Sequence, residues 1–406
     1  MIKTDISTLQ NRLLAARNIH TNINAVAFGL IANFQYYMKI NPAFYRKIYL
    51  RLFKFNNMKI NILLTIIVPI ICYITACNNV DKSHLSINLD NTTDTIRYSE
   101  FAKSLDYIQL DTKDSCLISN IKSIYMDEDT FCLLDKRGAG IFVFTSTGEF
   151  VCQINYFGQA PHEFIDITSF TIDPYLNQIC IWDVGSRSIK KYTYKGAFVE
   201  AYRTDALIRD FMVFQDKKNL FILPFYSKEC PYCIWIEDQN NQVIKNFNYP
   251  KPQNDQFEFI STYCNKEVNS LYYYDRNYDQ ISYITPDTLY SVYSIDLKQR
   301  LSNDLRAKNP ASIKLENFAM MWNFSFSPKY LLMNYYYYGQ EKPYKWVLLN
   351  RNTNITEIAN DIINDIDSVQ TETQSIFFLN ERTWCRAIES TDPNNCNITL
   401  QMINLK

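Results

Sequence analysis

Short apolar runs separated by turn-forming residues dominate the chain from residue 92 onwards. No long segment in this part has apolar residues at the spacing of an amphipathic helix. Evenly spaced short strands with turn signals between them are typical of β-sandwiches, barrels and propellers. The pattern predicts strands within residues 107–110, 131–134, 141–144, 150–154, 179–182, 220–223, 271–274, 331–338 and 346–349.

Residues 121–202 contain the same pattern twice, related by a shift of 48 positions. The matched pairs are Cys132 and Cys180, Asp135 and Asp183, Ile141 and Ile189, Thr145 and Thr193, Gly148 and Gly196, Phe150 and Phe198, and Val151 and Val199. A weaker third copy covers residues 271–275 and Ile281. We interpret the Asp and Gly pairs as structural, because Asp ends strands by bonding its own backbone and Gly permits the positive φ of tight hairpins.

The repeat length selects the propeller from these all-β folds. Units of 42 to 60 residues separate the successive markers Asp135, Asp183, Phe225, Asp275, Tyr335 and Glu389. A unit of that size holds four strands, as a propeller blade does. The sequence therefore predicts an all-β, six-bladed β-propeller of four-stranded antiparallel blades over residues 92–406. Residues 107–110 and 398–405 are the predicted strands of the closing blade.

The segment 58–77 resembles a bacterial lipoprotein signal peptide. Met58 and Lys59 precede an apolar run, 60–74, that ends in Ile74-Thr75-Ala76-Cys77. The run is shorter than the roughly 20 apolar residues of a comfortable membrane span. The resemblance implies that Cys77 is acylated, that this lipid anchors the protein in the bilayer and that the preceding residues are removed. The alternative is an uncleaved anchor helix in which Cys77 is an ordinary thiol.

The flanking segments follow from this interpretation. Residues 1–57 are basic and contain one acid, Asp5. We favour a translation start at Met58, which makes residues 1–57 an upstream extension outside the mature protein. A genuine cytoplasmic extension would also be consistent with the positive-inside rule. Residues 78–91 are polar and predict a tether between lipid and fold.

A family resemblance rests on the order of these features. The lipobox, which is the segment 74–77 that ends in Cys77, is followed by a polar tether and an Asp-ended strand. The hairpin 144–150 and the segment Gly158-Gln159-Ala160-Pro161-His162-Glu163-Phe164 come next. This order resembles the six-bladed β-propeller lipoproteins related to NHL-repeat proteins, in which the last segment usually reads Gly-x-Gly-Pro-x-Glu-aromatic. Ala160 replaces the second Gly here. The resemblance implies a lipoprotein anchored in the bacterial cell envelope, in the outer membrane, but supplies little chemistry.

Composition removes several function classes. The formal net charge is -1, which leaves no electrostatic footprint for nucleic acid. An aromatic content of 15% favours β structure. Only His84 and His162 follow the signal segment, so we expect no multi-His metal site and no Ser-His-Asp triad. We expect no cofactor, apart from calcium if the protein is an enzyme, and no oligomeric state is indicated.

Cys230 and Cys233 form the sharpest local motif, Cys-Pro-Tyr-Cys, which resembles the redox motif of glutaredoxins. In a redox motif the pair opens a helix whose amides stabilise the thiolate. Here a strand-like segment and a turn follow instead. A local disulfide, packed unpaired thiols and redox chemistry remain open.

Two further features could bind a ligand. The loop with Gly158, Pro161, His162, Glu163 and Phe164 is a candidate ligand-face loop, since a propeller face could present His162 and Glu163; the alternative is a solvated turn. The tyrosine runs 272–274 and 335–338 could stack on sugars. Side chains alternate faces along a strand, however, so about half of each run should pack between blades.

Two functions fit these observations. The first is a membrane-anchored binding or scaffold module for a glycan, peptide or partner protein. The alternative is a propeller enzyme, such as a lyase, lactonase or hydrolase, with carboxylates and a divalent cation at the central channel. Fold alone does not choose between them. Three or more converging carboxylates or amides at a channel mouth would favour the enzyme; exposed aromatics without convergent acids would favour the binder, which we prefer.

Overall fold

A computed structural model describes most of the chain after residue 82. The described residues are 83–111, 118, 121–127, 129–135, 140–204, 208–214, 218–222, 234–238, 240–247, 263–267, 269–276, 278–306, 308, 314, 316–367, 369, 375–389 and 398–406. The extension 1–57, the signal segment with Cys77 and the pair Cys230 and Cys233 lie outside them, so those predictions stay predictions.

The N-terminal part of the described chain forms three strands and one helical turn. These are β1 (Ser83–Ile87), β2 (Thr93–Arg97), α1 (Tyr98–Phe101) and β3 (Ala102–Gln109). The strand β3 contains most of the predicted strand 107–110.

The remaining strands form six sheets, which confirms the predicted six-bladed, all-β propeller. Blades 1 to 3 are β4 (Ile121–Asp127), β5 (Thr130–Asp135), β6 (Ile141–Thr145) and β7 (Phe150–Ile154); β8 (Ile167–Asp173), β9 (Gln178–Asp183), β10 (Ser188–Thr193) and β11 (Phe198–Arg203); and β12 (Asp210–Phe214), β13 (Lys218–Ile222), β14 (Ile234–Glu237) and β15 (Val243–Asn246). Blades 4 to 6 are β16 (Tyr263–Glu267), β17 (Ser270–Asp275), β18 (Gln280–Ile284) and β19 (Leu289–Leu297); β20 (Ala319–Phe326), β21 (Tyr330–Tyr337), β22 (Tyr344–Asn350) and β23 (Ile355–Ile363); and β24 (Ile376–Asn380), β25 (Thr383–Glu389) and β26 (Ile398–Leu405) with β3.

The strand β3 and the C-terminal strand β26 close the ring in blade 6. The strand β3 pairs antiparallel with β26, with Gln109 opposite Thr399 and Leu105 opposite Ile403. This pairing confirms the two predicted closing segments. Closure by hydrogen-bonded strands joins the first and last blades without a long open edge between them.

Residues 83–91 correct part of the predicted tether. β1 pairs parallel with β19, the outer strand of blade 4, and β2 pairs parallel with β23, the outer strand of blade 5. Leu85, Ile87 and Leu89 are buried against blades 4 and 5. The polar residues at the start of segment 78–91 suggested a tether, but from Ser83 onwards the alternation of polar and apolar positions is that of a strand with one buried face.

The sequence repeat corresponds to equivalent places in blades 1 and 2. Cys132 and Cys180 lie in the second strands, and Asp135 and Asp183 end those strands. Gly148 and Gly196 occupy the turns before the fourth strands with φ of +92° and +81°. The structural interpretation of the glycines is confirmed. For Asp183 it is confirmed too, since one of its carboxylate oxygens accepts hydrogen bonds from the backbone N–H groups of Ile165, Asp166 and Gly185.

Each hydrophobic cluster of the described residues lies between two adjacent blades. Phe131 and Leu133 of β5 face blade 6, whereas Cys132 and Leu134 face blade 2. Both faces of the middle strands are therefore buried. This explains why these strands appear in the sequence as continuous apolar runs rather than as alternating ones.

Helical structure in the described part of the chain is confined to single turns, α1 and α2 (Asn303–Arg306). Among these residues, no helix has the length and apolar character required to cross a bilayer.

Candidate functional site

The first strand of each blade lines a central channel. Along it lie two cavities, of about 480 Å³ and about 320 Å³; of the described residues that line them, only Tyr125 and Lys266 belong to both. The smaller cavity touches the first halves of these inner strands, and the larger one touches the ends of most of them. The channel therefore has two chemically separate mouths.

A buried ion pair separates the mouths. The Lys266 Nζ lies 2.6 Å from Asp210 Oδ1 and donates to the Phe170 carbonyl at 3.2 Å. The Ser169 hydroxyl donates to the same Asp210 oxygen at 2.5 Å. Lys266 and Asp210 are only 7% and 6% exposed. We call Lys266, Asp210, Ser169 and Tyr125 the waist.

The charge of Lys266 is held by its surroundings. Burial acts to lower the pKa of this ammonium, but the Asp210 carboxylate, together with Tyr125 and Cys264, more than offsets burial and raises the pKa above its usual value. Lys266 also lies over the rings of Tyr125 and Phe211, with 5.1 Å and 5.7 Å to the ring centres. Burial raises the pKa of Tyr125 to about 12. The ammonium of Lys266 therefore keeps its charge inside the channel and is paired with Asp210.

The smaller cavity, which we call the Trp322 mouth, is shaped by irregularities in the inner strands. Lys122, Thr168 and Trp322 each lie at a register shift between the first and second strands of a blade, and all three line the cavity. A bulge turns a side chain away from the regular alternation and is frequent next to functional sites. The Lys122 ammonium donates to the Thr168 carbonyl at 2.7 Å, which links two of these positions.

An aromatic cluster of blade 5 extends outward from Trp322. Tyr335 and Tyr337 point into the core, and the alternation of the strand leaves Tyr336 and Tyr338 on the other face. The ring contacts are Trp322 with Tyr336 at 6.2 Å, Trp322 with Tyr344 at 6.5 Å, Tyr336 with Tyr344 at 5.2 Å, Tyr336 with Tyr338 at 4.7 Å and Phe318 with Tyr338 at 4.5 Å. Trp322 itself is 36% exposed.

The second tyrosine run behaves differently from the first. Tyr272 and Tyr274 pack towards blade 5 and Tyr273 packs towards blade 3, so all three are buried. Core packing thus accounts for residues 272–274, whereas the run 335–338 is divided between core and surface.

The larger cavity, which we call the Glu267 mouth, is rich in carboxylates and amides. They come from the ends of the first strands and from the turns that follow, and they are Asp127, Glu267, Asn269, Asn380 and Glu381; Lys266 and Arg382 also line the cavity. Burial, followed by the negative charge of Glu381, raises the pKa of Glu267 to about 7. The buried Oε1 of Glu267 has no hydrogen-bond partner in the structure. Among the described residues, no three His, Cys, Asp or Glu side chains are grouped closely enough to hold a metal ion.

The candidate loop 158–164 lies away from both cavities, between β7 and β8. Glu163 folds back onto the loop, and its Oε2 accepts a hydrogen bond from the Ala160 backbone at 2.9 Å. An added Cβ at Gly158 would lie 2.0 Å from the same oxygen, which gives the glycine a structural reason. The turn therefore forms with Ala160 in place of the second glycine.

The other predicted residues of this loop divide into buried and exposed ones. Phe164 is fully buried, and the Tyr192 hydroxyl donates to the His162 carbonyl at 2.7 Å. The His162 ring stays exposed, 3.9 Å from the Glu163 carboxylate and near Tyr156 and Phe198. Glu163 thus has a structural contact, and a ligand contact for Pro161 or His162 stays a prediction.

Sequence reasoning missed the residues that form the two mouths. Lys122, Thr168 and Lys266 belong to inner strands that carry no regular alternation, and no motif marks the bulges. Trp322 gave one weak signal, since it directly follows two methionines that are buried in the same strand.

Comparison with known protein families identifies the family to which this chain belongs. The model of a domain of unknown function, DUF4934, matches residues 84–397. The chain belongs to the DUF4934 family. The match begins within β1 and ends just before β26, so it covers blades 1 to 5 and all of blade 6 except β26.

Three solved structures are similar to this DUF4934 chain, and the first of them is similar enough to show a shared fold. A Bacteroides fragilis protein named as exported is 17% identical, with 80% of this chain and 100% of that one covered and a TM-score of 0.64. A DUF4221 family member from Bacteroides vulgatus is 13% identical, covers 75% and 97% of the two chains and has a TM-score of 0.47. Virginiamycin B lyase from Staphylococcus aureus is 13% identical, covers 72% and 83% and has a TM-score of 0.38. A comparison with curated protein sequences finds no match.

Proposed function

We propose that this DUF4934 protein is a membrane-anchored lipoprotein of the bacterial cell envelope that binds a glycan, peptide or partner protein at the Trp322 mouth. One observation carries the proposal: the innermost strand of blade 5 turns a tryptophan out of the sheet, onto the edge of a cavity. A concave site lined by an aromatic side chain and a few polar groups is the usual form of a ligand site.

Trp322 differs from the other tryptophans of the chain. The sequence contains five, and Trp182, Trp235, Trp346 and Trp384 are at most 2% exposed. An indole held at a cavity edge keeps a large apolar surface in contact with water, which ligand binding would remove. The tyrosines beside it enlarge that surface.

The anchoring part of the proposal is supported by the lipobox that ends at Cys77. We propose the outer membrane as the location of the anchored protein. We also propose a relation to NHL-repeat proteins, which the hairpin and loop motifs support. We expect the full chain made in a Gram-negative host to sediment with membranes and to incorporate labelled palmitate. The variant Cys77→Ser should lose the label, and an unchanged label would contradict acylation at Cys77.

Binding can be tested with the fluorescence of Trp322. Iodide quenches exposed indoles, so we expect most of the quenchable emission of the full chain to disappear in Trp322→Phe. A ligand at this mouth should protect the wild-type emission from iodide. Saccharide and peptide panels read out in this way should show protection that Trp322→Ala removes and that Tyr290→Ala, on the outer strand β19, leaves intact. Equal loss in both variants would contradict the assigned site.

The enzyme alternative is favoured by the three carboxylates and two amides that line the Glu267 mouth and by the raised pKa of Glu267 among them. A carboxylic acid that titrates near neutral pH in a cavity is suited to general acid or base catalysis. A calcium-dependent rise in the melting temperature of the full chain, reversed by a chelator, would support a metal-assisted reaction. Turnover of a lactone or glycoside panel that Glu267→Gln abolishes would support this alternative directly.

A further inference from the structure

We infer that the ligand held at the Trp322 mouth is a carbohydrate, stacked on Trp322 and bound by the hydroxyl groups of the cavity wall. The inference rests on the proposed function and specifies the ligand class of the same site. The geometry of the rings, the hydroxyls of the lining and the position of Trp322 on the innermost strand each support it.

The rings around Trp322 leave its indole face uncovered by parallel stacking. Tyr336 is tilted by 43° and Tyr344 by 82° relative to the indole, and both ring centres are more than 6 Å away. Tyr336 and Tyr344 are themselves nearly perpendicular, at 83°. Aromatic faces carry partial negative charge, so they attract the weakly positive C–H bonds on one face of a pyranose ring.

The polar lining complements hydroxyl groups. Ser123, Thr168 and Ser375 bring hydroxyls to the cavity, which two lysines, one arginine and one aspartate also line. The amides of Asn265 and Asn323 line it too, but they already hydrogen-bond to backbone groups of blades 5 and 6. Among the described residues, the buried Oγ1 of Thr168 has no hydrogen-bond partner. A rotation of the Thr168 side chain towards the cavity would expose this oxygen to a sugar hydroxyl, which can both donate and accept. A buried polar atom left without a partner costs free energy, which a hydroxyl-rich ligand would recover.

A peptide fits this place less well. Extended peptides commonly add a strand to an open sheet edge. Trp322 lies on the innermost strand of blade 5, at the opposite side of the sheet from the outer edge that β2 forms. A cavity of about 320 Å³ is near the lower end for small-ligand sites, so it would hold the end of a glycan chain and not a long segment.

The test uses the full chain in detergent micelles and two panels of probes. One panel contains hexasaccharides of glucose, xylose, mannose and N-acetylglucosamine; the other contains hexapeptides of random sequence. We expect at least one hexasaccharide to bind and to protect Trp322 from iodide. Trp322→Ala should weaken that binding about 30-fold or more, as loss of a central aromatic contact does, whereas Tyr290→Ala should not change it.

A second variant isolates the polar contribution. Thr168→Val keeps the shape of the side chain and removes the hydroxyl, so we expect hexasaccharide binding to weaken about 5-fold to 10-fold at an unchanged melting temperature. Protection of Trp322 by hexapeptides alone would overturn the carbohydrate inference and leave the proposed binding function intact. If neither panel binds in a manner that depends on Trp322, both the inference and the proposed function are wrong.

Discussion

The buried ion pair of the waist should contribute strongly to folding, and Lys266→Met tests this. Methionine keeps the length of the apolar stem and removes the ammonium. The substitution takes away the contact with Asp210 at 2.6 Å and the hydrogen bond to the Phe170 carbonyl. Asp210 keeps the hydrogen bonds from the Ser169 hydroxyl and the Phe211 backbone N–H. We therefore expect a large loss of stability that stops short of unfolding.

The magnitude follows from the geometry. At an effective dielectric constant of about 20, two unit charges 2.6 Å apart attract each other by about 6 kcal/mol. Desolvation of both ions offsets most of this attraction, whereas removal of one partner leaves the other buried charge uncompensated, at a cost of about 3–5 kcal/mol. Because Asp210 keeps two hydrogen bonds, we expect the loss of folding free energy in Lys266→Met to lie near the lower end of this range, at about 3 kcal/mol. Asp210→Asn should cost a similar amount.

The double variant Lys266→Met with Asp210→Asn is the decisive control. With both charges gone, we expect stability within about 1 kcal/mol of the wild type, so the double-mutant cycle should show strong coupling. Urea unfolding of the full chain, with both the midpoint and the slope compared, gives the free energies. A loss below about 1 kcal/mol for Lys266→Met, or additive losses in the double variant, would refute the reasoning.

The pH dependence provides an internal check on the same variant. The folded-state pKa of Lys266 is raised, so the stability from its charge is fully present below the unfolded-state pKa and is lost only as pH rises through the folded-state value. The difference in the free energy of unfolding between the wild type and Lys266→Met should therefore be the same at about pH 6 as at about pH 9.

Three further substitutions test other parts of the structure. The pKa of Glu267 is raised to about 7 from an ordinary value of 4.5, so the stability that this group contributes is fully present below the unfolded-state pKa and is lost as pH rises through 7. This loss amounts to about 3 kcal/mol before solvent screening and about 1–2 kcal/mol after it. In Glu267→Gln the loss should be absent when urea unfolding is compared between about pH 5 and pH 8. Gly148→Ala should cost about 2–3 kcal/mol by calorimetry, since its Cβ would lie 2.2 Å from the Gln109 carbonyl, whereas its repeat equivalent Gly196→Ala meets only a thiol at 3.2 Å and should cost less. Ile87→Ala should cost about 2–4 kcal/mol if β1 is docked, against about 0.5 kcal/mol or less for the exposed Ser86→Ala; equal losses would contradict docking.

The sequence predicted the middle strands of the blades best, and the reason is their burial on two faces. β5, β6, β9, β17 and β21 pack between neighbouring blades on both sides, so they form apolar runs that stand out from the turns. Six markers spaced 42 to 60 residues apart then indicated six blades, and segments near the two ends of the propeller region were predicted to close the ring. Local burial and repetition were sufficient for the fold.

The candidate site could not be predicted in the same way. The inner strand β16 reads Tyr-Cys-Asn-Lys-Glu, because it faces a channel and not a core, and no apolar alternation marks it as a strand. Lys266 meets its partner Asp210 across 56 positions of sequence, and Trp322 is exposed because of a register shift that residue types do not encode. Alternation correctly predicted that about half of the tyrosines in the run 335–338 would be buried. It could not predict which half faces solvent.

The chemistry of the two mouths allows the binding and enzyme hypotheses to be tested separately. Of the described residues that line the cavities, only Tyr125 and Lys266 belong to both, and Lys266 is tied to Asp210. A ligand on Trp322 therefore has no direct contact with Glu267. We expect Trp322→Ala to leave the Glu267-dependent change of stability with pH intact, and Glu267→Gln to leave saccharide protection of Trp322 intact. If either substitution abolishes both readouts while the melting temperature is unchanged, the waist does not isolate the mouths, and the two hypotheses describe one site.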